Sequence, residues 1–436
     1  MLDNKKIKIV FFMAIALLVL VAVALFVFGA RNPKPEEVEL EFWGVFDDSD
    51  IYSSLIEEFQ EKYPHITIKY RKKTYENYED DLLEAMATRR GPDILMIDNN
   101  WLPSYKDKIV PAPNDLISLN ELENSFVDVV VDDFVKDKKV YALPLYVDTL
   151  ALYYNKDIFN SAGIISPPKT WEEFMDAVEK ITTTDNNNNI NRAGAAIGTA
   201  KNVNRSVDIL SLLMLQSGSQ MVNDNKTRVT FDKPVELEGK EFFPTQRALA
   251  FYTDFSNPLK SVYTWNRDMH YSLDAFYEGK AAMMFNYAYH VFTIQGKSPY
   301  LNFDVAPMPQ INGNNKKINY ANYWGLAVSN NSRNPETAWN FINWIINKKE
   351  NNKAYLEKTN RPTARRDLIR WQKEDEDIGI FAEQSLTAQS WYQVDPHAVE
   401  NYFANMIQSV VLGQDTIKNA ISKAANKINL IMEKNN

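Results

Sequence analysis

Cysteine is absent from the 436-residue chain. Its absence excludes disulfides, thiolate metal ligands, cysteine nucleophiles and a lipid-acceptor cysteine near the N-terminus. Histidine is scarce as well, and the four imidazoles, at His65, His270, His290 and His397, lack the close spacing that lets two histidines bind zinc from one helix face. The sequence therefore predicts no metal site.

The usual signatures of nucleotide and hydrolase chemistry are also missing. The chain has no Gly-x-Ser-x-Gly elbow, no Walker loop and no Gly-x-Gly-x-x-Gly turn. It has no dense basic run either, because 48 Lys and Arg are outnumbered by 57 Asp and Glu, for a net charge of −9. A nucleic-acid groove would need a surplus of positive charge to neutralise phosphates. We therefore expect no cofactor and no nucleic-acid partner.

Apolar and aromatic residues are plentiful. Hydrophobic residues make up 45% of the chain, and this length is enough for roughly two or three domains of about 150 residues each. The chain is therefore expected to fold around a sizeable core.

A long uncharged segment lies near the N-terminus, at residues 9–30. Its 22 residues can span the hydrocarbon core of a bilayer, which is about 30 Å thick. Three lysines within residues 1–8 place that end in the cytoplasm, and 31–37 form a charged, proline-containing linker. The sequence predicts a single-pass transmembrane anchor in the cell membrane with an extracytoplasmic folded part. The alternative is a cleavable signal peptide and a secreted protein.

Strands and helices alternate in the first part of the folded region. Strand patterns at 38–43, 66–70 and 94–97 are separated by helical patterns at 51–63 and 78–86. This β-α-β-α-β order is typical of a parallel sheet covered by helices, and predicts the α/β fold class.

Several aromatic residues lie where a strand ends or a loop begins, notably Trp43, Trp101 and Trp391. Ligands of open parallel sheets bind at the carboxyl ends of the strands. A ring beside an acceptor such as Asp47 suits a sugar, which has an apolar face and a fringe of hydroxyls. For each ring, packing in the core is the alternative.

The segment at 141–174, YALPLYVDTLALYYNKDIFNSAGIISPPKTWEEF, closely resembles the hinge-crossing signature of one family. That family is the bacterial extracellular solute-binding proteins of ABC importers, which includes maltose-binding protein. Further segments resemble the same family in the same order, at 92–98, 276–291, 323–345 and 362–368. The resemblance covers nearly all of residues 38–432.

The resemblance implies a two-lobed, type II periplasmic-binding-protein-like fold. The N-terminal lobe would comprise 38–146 and 283–328, and the C-terminal lobe 147–282 and 329–436. It implies a monomer without enzymatic activity that closes on a carbohydrate, an oligosaccharide, by hinge bending and delivers it to an ABC permease in the membrane.

The resemblance also implies ligand contacts, position by position. The matching positions are Asp47, Asp98, Asn99, Trp101, Asp148, Tyr289 and Trp391. Neighbours of these positions are secondary candidates, namely Tyr146, Trp265, Asn286 and Trp324, and Trp43 joins them as an aromatic residue at a strand end. Asp48 is acidic where maltose binders carry a basic residue, which argues against maltose itself.

Two other functions remain open. One is a secreted, membrane-anchored enzyme acting on polysaccharides, which would need two carboxylates about 5 to 9.5 Å apart in the cleft. The other is an anchored ligand sensor whose closed form signals to a membrane partner.

Overall fold

A computed structural model describes residues 4–29, 35–237, 239–314 and 316–435. The predicted linker at 31–37, and the ends of the segments predicted at 1–8 and 9–30, lie partly outside the described residues. The sequence predicts a membrane span at 9–30, but no helix in the described part of the chain combines the length and apolarity of one.

Helices and strands alternate over residues 38–110 and occur in short runs of one type after that. The helices are α1 (Asn4–Gly29), α2 (Ser49–Lys62), α3 (Tyr75–Ala87), α4 (Leu102–Tyr105), α5 (Leu119–Ser125), α6 (Asp128–Phe134), α7 (Lys156–Ser161), α8 (Trp171–Ile181), α9 (Ser206–Gln216), α10 (Pro244–Asp254), α11 (Ser272–Tyr277), α12 (Tyr289–Lys297), α13 (Pro335–Ile346), α14 (Lys349–Thr359), α15 (Arg366–Gln372), α16 (Gly379–Gln384), α17 (Pro396–Val411) and α18 (Ile417–Asn435). The strands are β1 (Val38–Gly44), β2 (Ile66–Lys72), β3 (Ile94–Asp98), β4 (Ile109–Val110), β5 (Val135–Lys136), β6 (Lys139–Val140), β7 (Leu143–Pro144), β8 (Asp148–Thr149), β9 (Ala151–Asn155), β10 (Thr183–Thr184), β11 (Ile190–Arg192), β12 (Val235–Leu237), β13 (Lys240–Phe242), β14 (Met283–Asn286), β15 (Phe303–Ala306), β16 (Asn319–Asn322), β17 (Trp324–Ser329) and β18 (Ala388–Gln389).

The first lobe is built on a sheet with the strand order β2-β1-β3-β17-β4, to which β7 adds through β17. Strand β1 is parallel to both β2 and β3, which confirms the predicted β-α-β-α-β unit. Every residue of β3 is buried, as expected for a central strand covered on both faces. Parallel pairing brings the carboxyl ends of β1 and β3 to one edge of the sheet.

The second lobe has its own core around an antiparallel sheet with the order β14-β9-β15. Its buried side chains come from residues 150–320 and 378–432. Those of the first lobe come from 40–147 and 321–369, together with Ala388. The molecule therefore has two hydrophobic cores, each made from more than one stretch of chain.

The chain passes between the two cores at 147–150, 320–321 and 369–378. Near these crossings, β16 pairs with β8 and β18 in a three-stranded sheet. The placement differs from the predicted division. Residues 283–320 pack in the second lobe, because β14 and β15 pair with β9. Residues 329–369 pack in the first lobe, where α13 lies on β17.

Candidate ligand-binding site

A cavity of about 400 Å³ lies between the two lobes. We call it the cleft cavity. The first lobe and the crossing strands line it with Phe46, Tyr75, Asp98, Tyr146, Asp148, Asn322, Trp324 and Arg361, and the second lobe with Arg205, Tyr287 and Tyr289. Phe46 follows β1 and Asp98 ends β3. The cavity therefore occupies the carboxyl edge of the parallel sheet, where ligands of such sheets bind.

Two buried carboxyl groups face the cavity. Asp98 accepts hydrogen bonds from the backbone N of Asn100 at 2.9 Å and from Nδ2 of Asn322 at 3.4 Å. Asp148 accepts from the backbone N of Thr149 at 2.8 Å, and both of its oxygens lie 3.0–3.1 Å from the backbone N of Ala288. Asp148 thereby ties a crossing strand to the second lobe.

Burial disfavours the charged form of a carboxyl group. It raises the pKa of Asp98 to about 6 and that of Asp148 to about 7, although the backbone hydrogen bonds oppose the shift. Near neutral pH, Asp98 is therefore largely ionised and accepts hydrogen bonds, whereas Asp148 is divided between its two forms and can accept or donate one.

Arg361 is held by a buried ion pair with Asp47. Its Nη2 donates to Oδ1 of Asp47 at 3.0 Å, and the hydroxyls of Tyr52 and Tyr355 both donate to Oδ2 at 2.9 Å. The guanidinium lies over the ring of Tyr146, 4.4 Å from its centroid. Because its oxygens already accept these bonds, Asp47 orients Arg361 rather than facing the cavity itself.

Arg205 faces the cavity from the second lobe. It precedes α9 in a left-handed conformation, with φ of 61°. Its Nη2 donates to the hydroxyl of Tyr289 at 3.0 Å, and its guanidinium lies 5.1 Å from the ring centroid of Tyr287. The nearest carboxylate is Asp208, whose Oδ2 is 3.8 Å from Nη1 and accepts from the hydroxyl of Tyr287 at 2.8 Å.

Exposed aromatic rings complete the walls. The ring of Phe46 contacts those of Tyr75 and Trp324, with centroids 5.7 and 5.3 Å apart. Phe46, Tyr75 and Tyr289 are 36%, 57% and 42% exposed, so part of each ring is accessible to a ligand in the cavity. These rings provide an apolar surface beside charged and hydrogen-bonding groups.

The structure brings five of the predicted ligand contacts to this cavity: Asp98, Tyr146, Asp148, Tyr289 and Trp324. Two others, Asn99 and Trp391, line a neighbouring cavity of about 260 Å³ that also lies between the lobes.

The remaining predicted contacts lie elsewhere. Asp47 orients Arg361 through their ion pair and does not itself line the cavity. Trp43 is buried in the first lobe, where its Nε1 donates to Glu41, and Trp101 stacks on two tyrosine rings. Trp265 and Asn286 are fully buried, the latter donating to a neighbouring asparagine in the second lobe. Residues of these types at strand ends pack as readily in a core as around a ligand.

About half of the lining residues were not among the predicted ligand contacts: Phe46, Tyr75, Arg205, Tyr287, Asn322 and Arg361. Four of these residues lie in or beside a predicted contact or a segment that resembles the family. Phe46 precedes Asp47, Tyr287 lies within 276–291, Asn322 precedes 323–345, and Arg361 precedes 362–368. No sequence signal marked Arg205 or Tyr75.

An ion pair joins the two lobes at a separate point. Nε2 of His397 on α17 lies 2.8 Å from Oε2 of Glu79 on α3. Partial burial lowers the pKa of this imidazole. The hydrogen bond and charge of Glu79 outweigh that effect, with smaller contributions from Glu400 and Asp395, so the pKa is raised overall. The contact depends on the protonated imidazole. It is therefore fully formed below the ordinary histidine pKa of about 6.5, and it is lost as the pH rises through the raised pKa of His397.

We therefore expect the unliganded lobes to separate more at about pH 8.5 than at about pH 5.5. Small-angle scattering should show a larger radius of gyration at the higher pH. Asp98 and Asp148 also titrate in this window, so a His397→Gln variant supplies the comparison, since it keeps both carboxyl groups. Identical pH curves for the two proteins would show that the imidazole does not hold the lobes together.

The sequence model of the bacterial extracellular solute-binding proteins matches residues 44–352. The chain belongs to this family, which places its folded part outside the cytoplasm. A maltotriose-binding protein of Pyrococcus abyssi is 24% identical over 307 residues, 70% of this chain and 61% of that protein. The match thus covers less than two thirds of that relative's length.

Solved structures of binding proteins have the same fold. The cyclic α-maltosyl-1,6-maltose-binding protein of Arthrobacter globiformis aligns with a TM-score of 0.75 at 17% identity, covering 91% of this chain and 99% of that one. An ABC transporter solute-binding protein of Thermotoga lettingae, bound to α-D-tagatose, aligns with a TM-score of 0.69 at 24% identity, covering 90% and 99%. The likeness supports the predicted α/β architecture of solute-binding proteins.

Proposed function

We propose that this chain is the extracytoplasmic binding component of an ABC importer, which holds a carbohydrate in the cleft cavity and delivers it to a membrane permease. The observation that carries the proposal is the cleft cavity itself. Exposed aromatic rings, two carboxyl groups and two guanidinium groups from both lobes converge on one space. Rings suit the apolar face of a sugar, and the polar groups suit its hydroxyls.

The names of relatives and structural neighbours support the same class of ligand. The Pyrococcus protein is named for maltotriose, and the Thermotoga structure contains tagatose. The neighbouring cavity at Asn99 and Trp391 would accommodate further sugar units of an oligosaccharide. The three chain crossings would allow the lobes to close around the ligand by bending at a few residues.

Asp148→Ala is expected to weaken saccharide binding by about 1.5–3 kcal/mol, or about 10- to 150-fold, the range for hydrogen bonds to a charged group. The reason is that Asp148 lines the cavity from a strand where the chain crosses between the lobes. Calorimetric titration measures the effect, after a thermal-shift screen of the full chain against neutral and acidic sugars has found a saccharide that binds.

Asp48→Ala is the matched control, since Asp48 pairs with Lys72 on the exposed surface and should leave affinity unchanged. Equal affinity of the Asp148→Ala variant and the unmodified chain would remove Asp148 from the site. The saccharide is also recovered after incubation with the protein. A binding protein returns the saccharide intact, whereas a polysaccharide-acting enzyme would shorten the saccharide.

We further propose that residues 9–30 anchor the protein in the cell membrane as a single-pass segment, with the N-terminus in the cytoplasm. This part of the proposal rests on the sequence, namely 22 uncharged residues behind three lysines. Membrane fractionation with N-terminal sequencing is expected to recover the full-length chain in the membrane. A soluble form beginning near residue 30 would show that the segment is a cleaved signal peptide.

A further inference from the structure

Two guanidinium groups from opposite lobes line the cleft cavity. Arg361 belongs to the first lobe and Arg205 to the second. Both lie close enough to Asp148 for their positive charges to lower the pKa of its carboxyl group, against the larger effect of burial. The two arginines line the same cavity as Asp148, which lies on a strand where the chain crosses between lobes.

Each guanidinium keeps donors that the protein does not use. Arg361 donates through Nη2 to Asp47, and Arg205 donates through Nη2 to Tyr289. The Nε atoms of both arginines are buried and have no hydrogen-bond partner within the described residues. A guanidinium has five N–H donors, and a buried donor without an acceptor is costly. Because the Nε atoms are shielded from solvent, an acceptor-rich ligand in the cavity would bond to the remaining Nη donors, since each arginine uses only Nη2 within the protein.

The charge of the second-lobe arginine is poorly balanced. Arg361 has a carboxylate oxygen of Asp47 at 3.0 Å, whereas Arg205 has its nearest one, on Asp208, at 3.8 Å. Burial raises the pKa of Asp208, and the charge of Arg205 opposes that shift. Closure of the lobes would bring this positive charge towards Arg361, so a negative group between them would favour the closed form.

We propose that the saccharide bound in the cleft cavity is acidic, a uronate whose carboxylate lies between Arg205 and Arg361. The inference rests on the proposed function and narrows its ligand class. A carboxylate fits the planar donor pair of a guanidinium. A phosphate is disfavoured, because its second negative charge would face Asp98 and Asp148 across the same small cavity.

The test compares neutral and acidic sugars of the same ring and length by calorimetric titration of the full chain. The probes are glucose with glucuronate, galactose with galacturonate, and the corresponding disaccharides. We expect each uronate to bind more tightly than its neutral partner, by about 10- to 150-fold as for other charge-assisted hydrogen bonds. Added salt should weaken only the uronate.

Arg205→Gln should weaken binding of the uronate much more than binding of the neutral sugar and so remove this preference, while Arg205→Lys should restore part of it. Arg267→Gln is the control, because Arg267 is an exposed arginine of the same lobe. An unfolding midpoint for each variant verifies that it is folded.

Equal affinity for both members of each pair, or preference for the neutral sugar, would overturn the acidic-ligand proposal and leave the carbohydrate proposal intact. Failure of every sugar to bind would instead overturn the carbohydrate proposal itself.

Discussion

Asp47→Ala is expected to lower the free energy of unfolding by about 3–5 kcal/mol, the typical cost of removing one partner of a buried ion pair. The variant would leave the guanidinium of Arg361 without its carboxylate. It would also leave the hydroxyls of Tyr52 and Tyr355 without the acceptor that they share. Urea denaturation followed by circular dichroism measures the change.

The adjacent residue supplies the control. Asp48 pairs with Lys72 at 2.8 Å on the surface, and Asp48→Ala should cost about 0–1 kcal/mol, as exposed ion pairs do. A double variant, Asp47→Ala with Arg361→Met, should be more stable than Asp47→Ala alone, because no unpaired charge remains buried. If Asp47→Ala costs no more than Asp48→Ala, the ion pair does not contribute as described.

Trp324→Ala is expected to destabilise the protein by about 3–5 kcal/mol, the range for removing a buried aromatic side chain. Trp324 begins β17 and is 5% exposed. Its ring packs on Trp101 at 5.1 Å and on Phe46 at 5.3 Å, and it also contacts Tyr75. Its removal would leave a space in the cavity wall that its neighbours fill only in part.

Thermal unfolding of Trp324→Ala, compared with Trp371→Ala, measures this effect. Trp371 is 36% exposed, so its removal should cost much less, about 1 kcal/mol or below. Similar losses for the two variants would indicate that the wall can collapse around the missing ring without a cavity.

Local patterns in the sequence predicted the first part of the fold. The strands at 38–43, 66–70 and 94–97 form β1, β2 and β3, because runs of β-branched and aromatic residues between helical periods carry their own signal. The family resemblance placed Asp98 among the ligand contacts, and the residue does line the cavity, because it ends β3 at the edge where the carboxyl ends of the parallel strands meet.

Local patterns could not predict the structural role of Asp47, which is to pair with Arg361. Its position after β1 suggested a ligand contact, yet its oxygens accept from Arg361 and two tyrosines. One of these tyrosines, Tyr355, is 308 residues away along the chain. Nothing in the spacing of residues around Asp47 indicates that a donor so distant will reach it.

The α/β class can be predicted from the pattern of residues, and the family from the hinge-crossing segment. The lobe that each later segment joins, and the meeting of Arg205 and Arg361 at one cavity, become visible only in the folded molecule. Strand and helix signals depend on neighbours a few residues apart, whereas the site depends on three chain crossings that bring distant segments together. Those contacts are fixed by the packing of two separate cores, which no short stretch of sequence specifies.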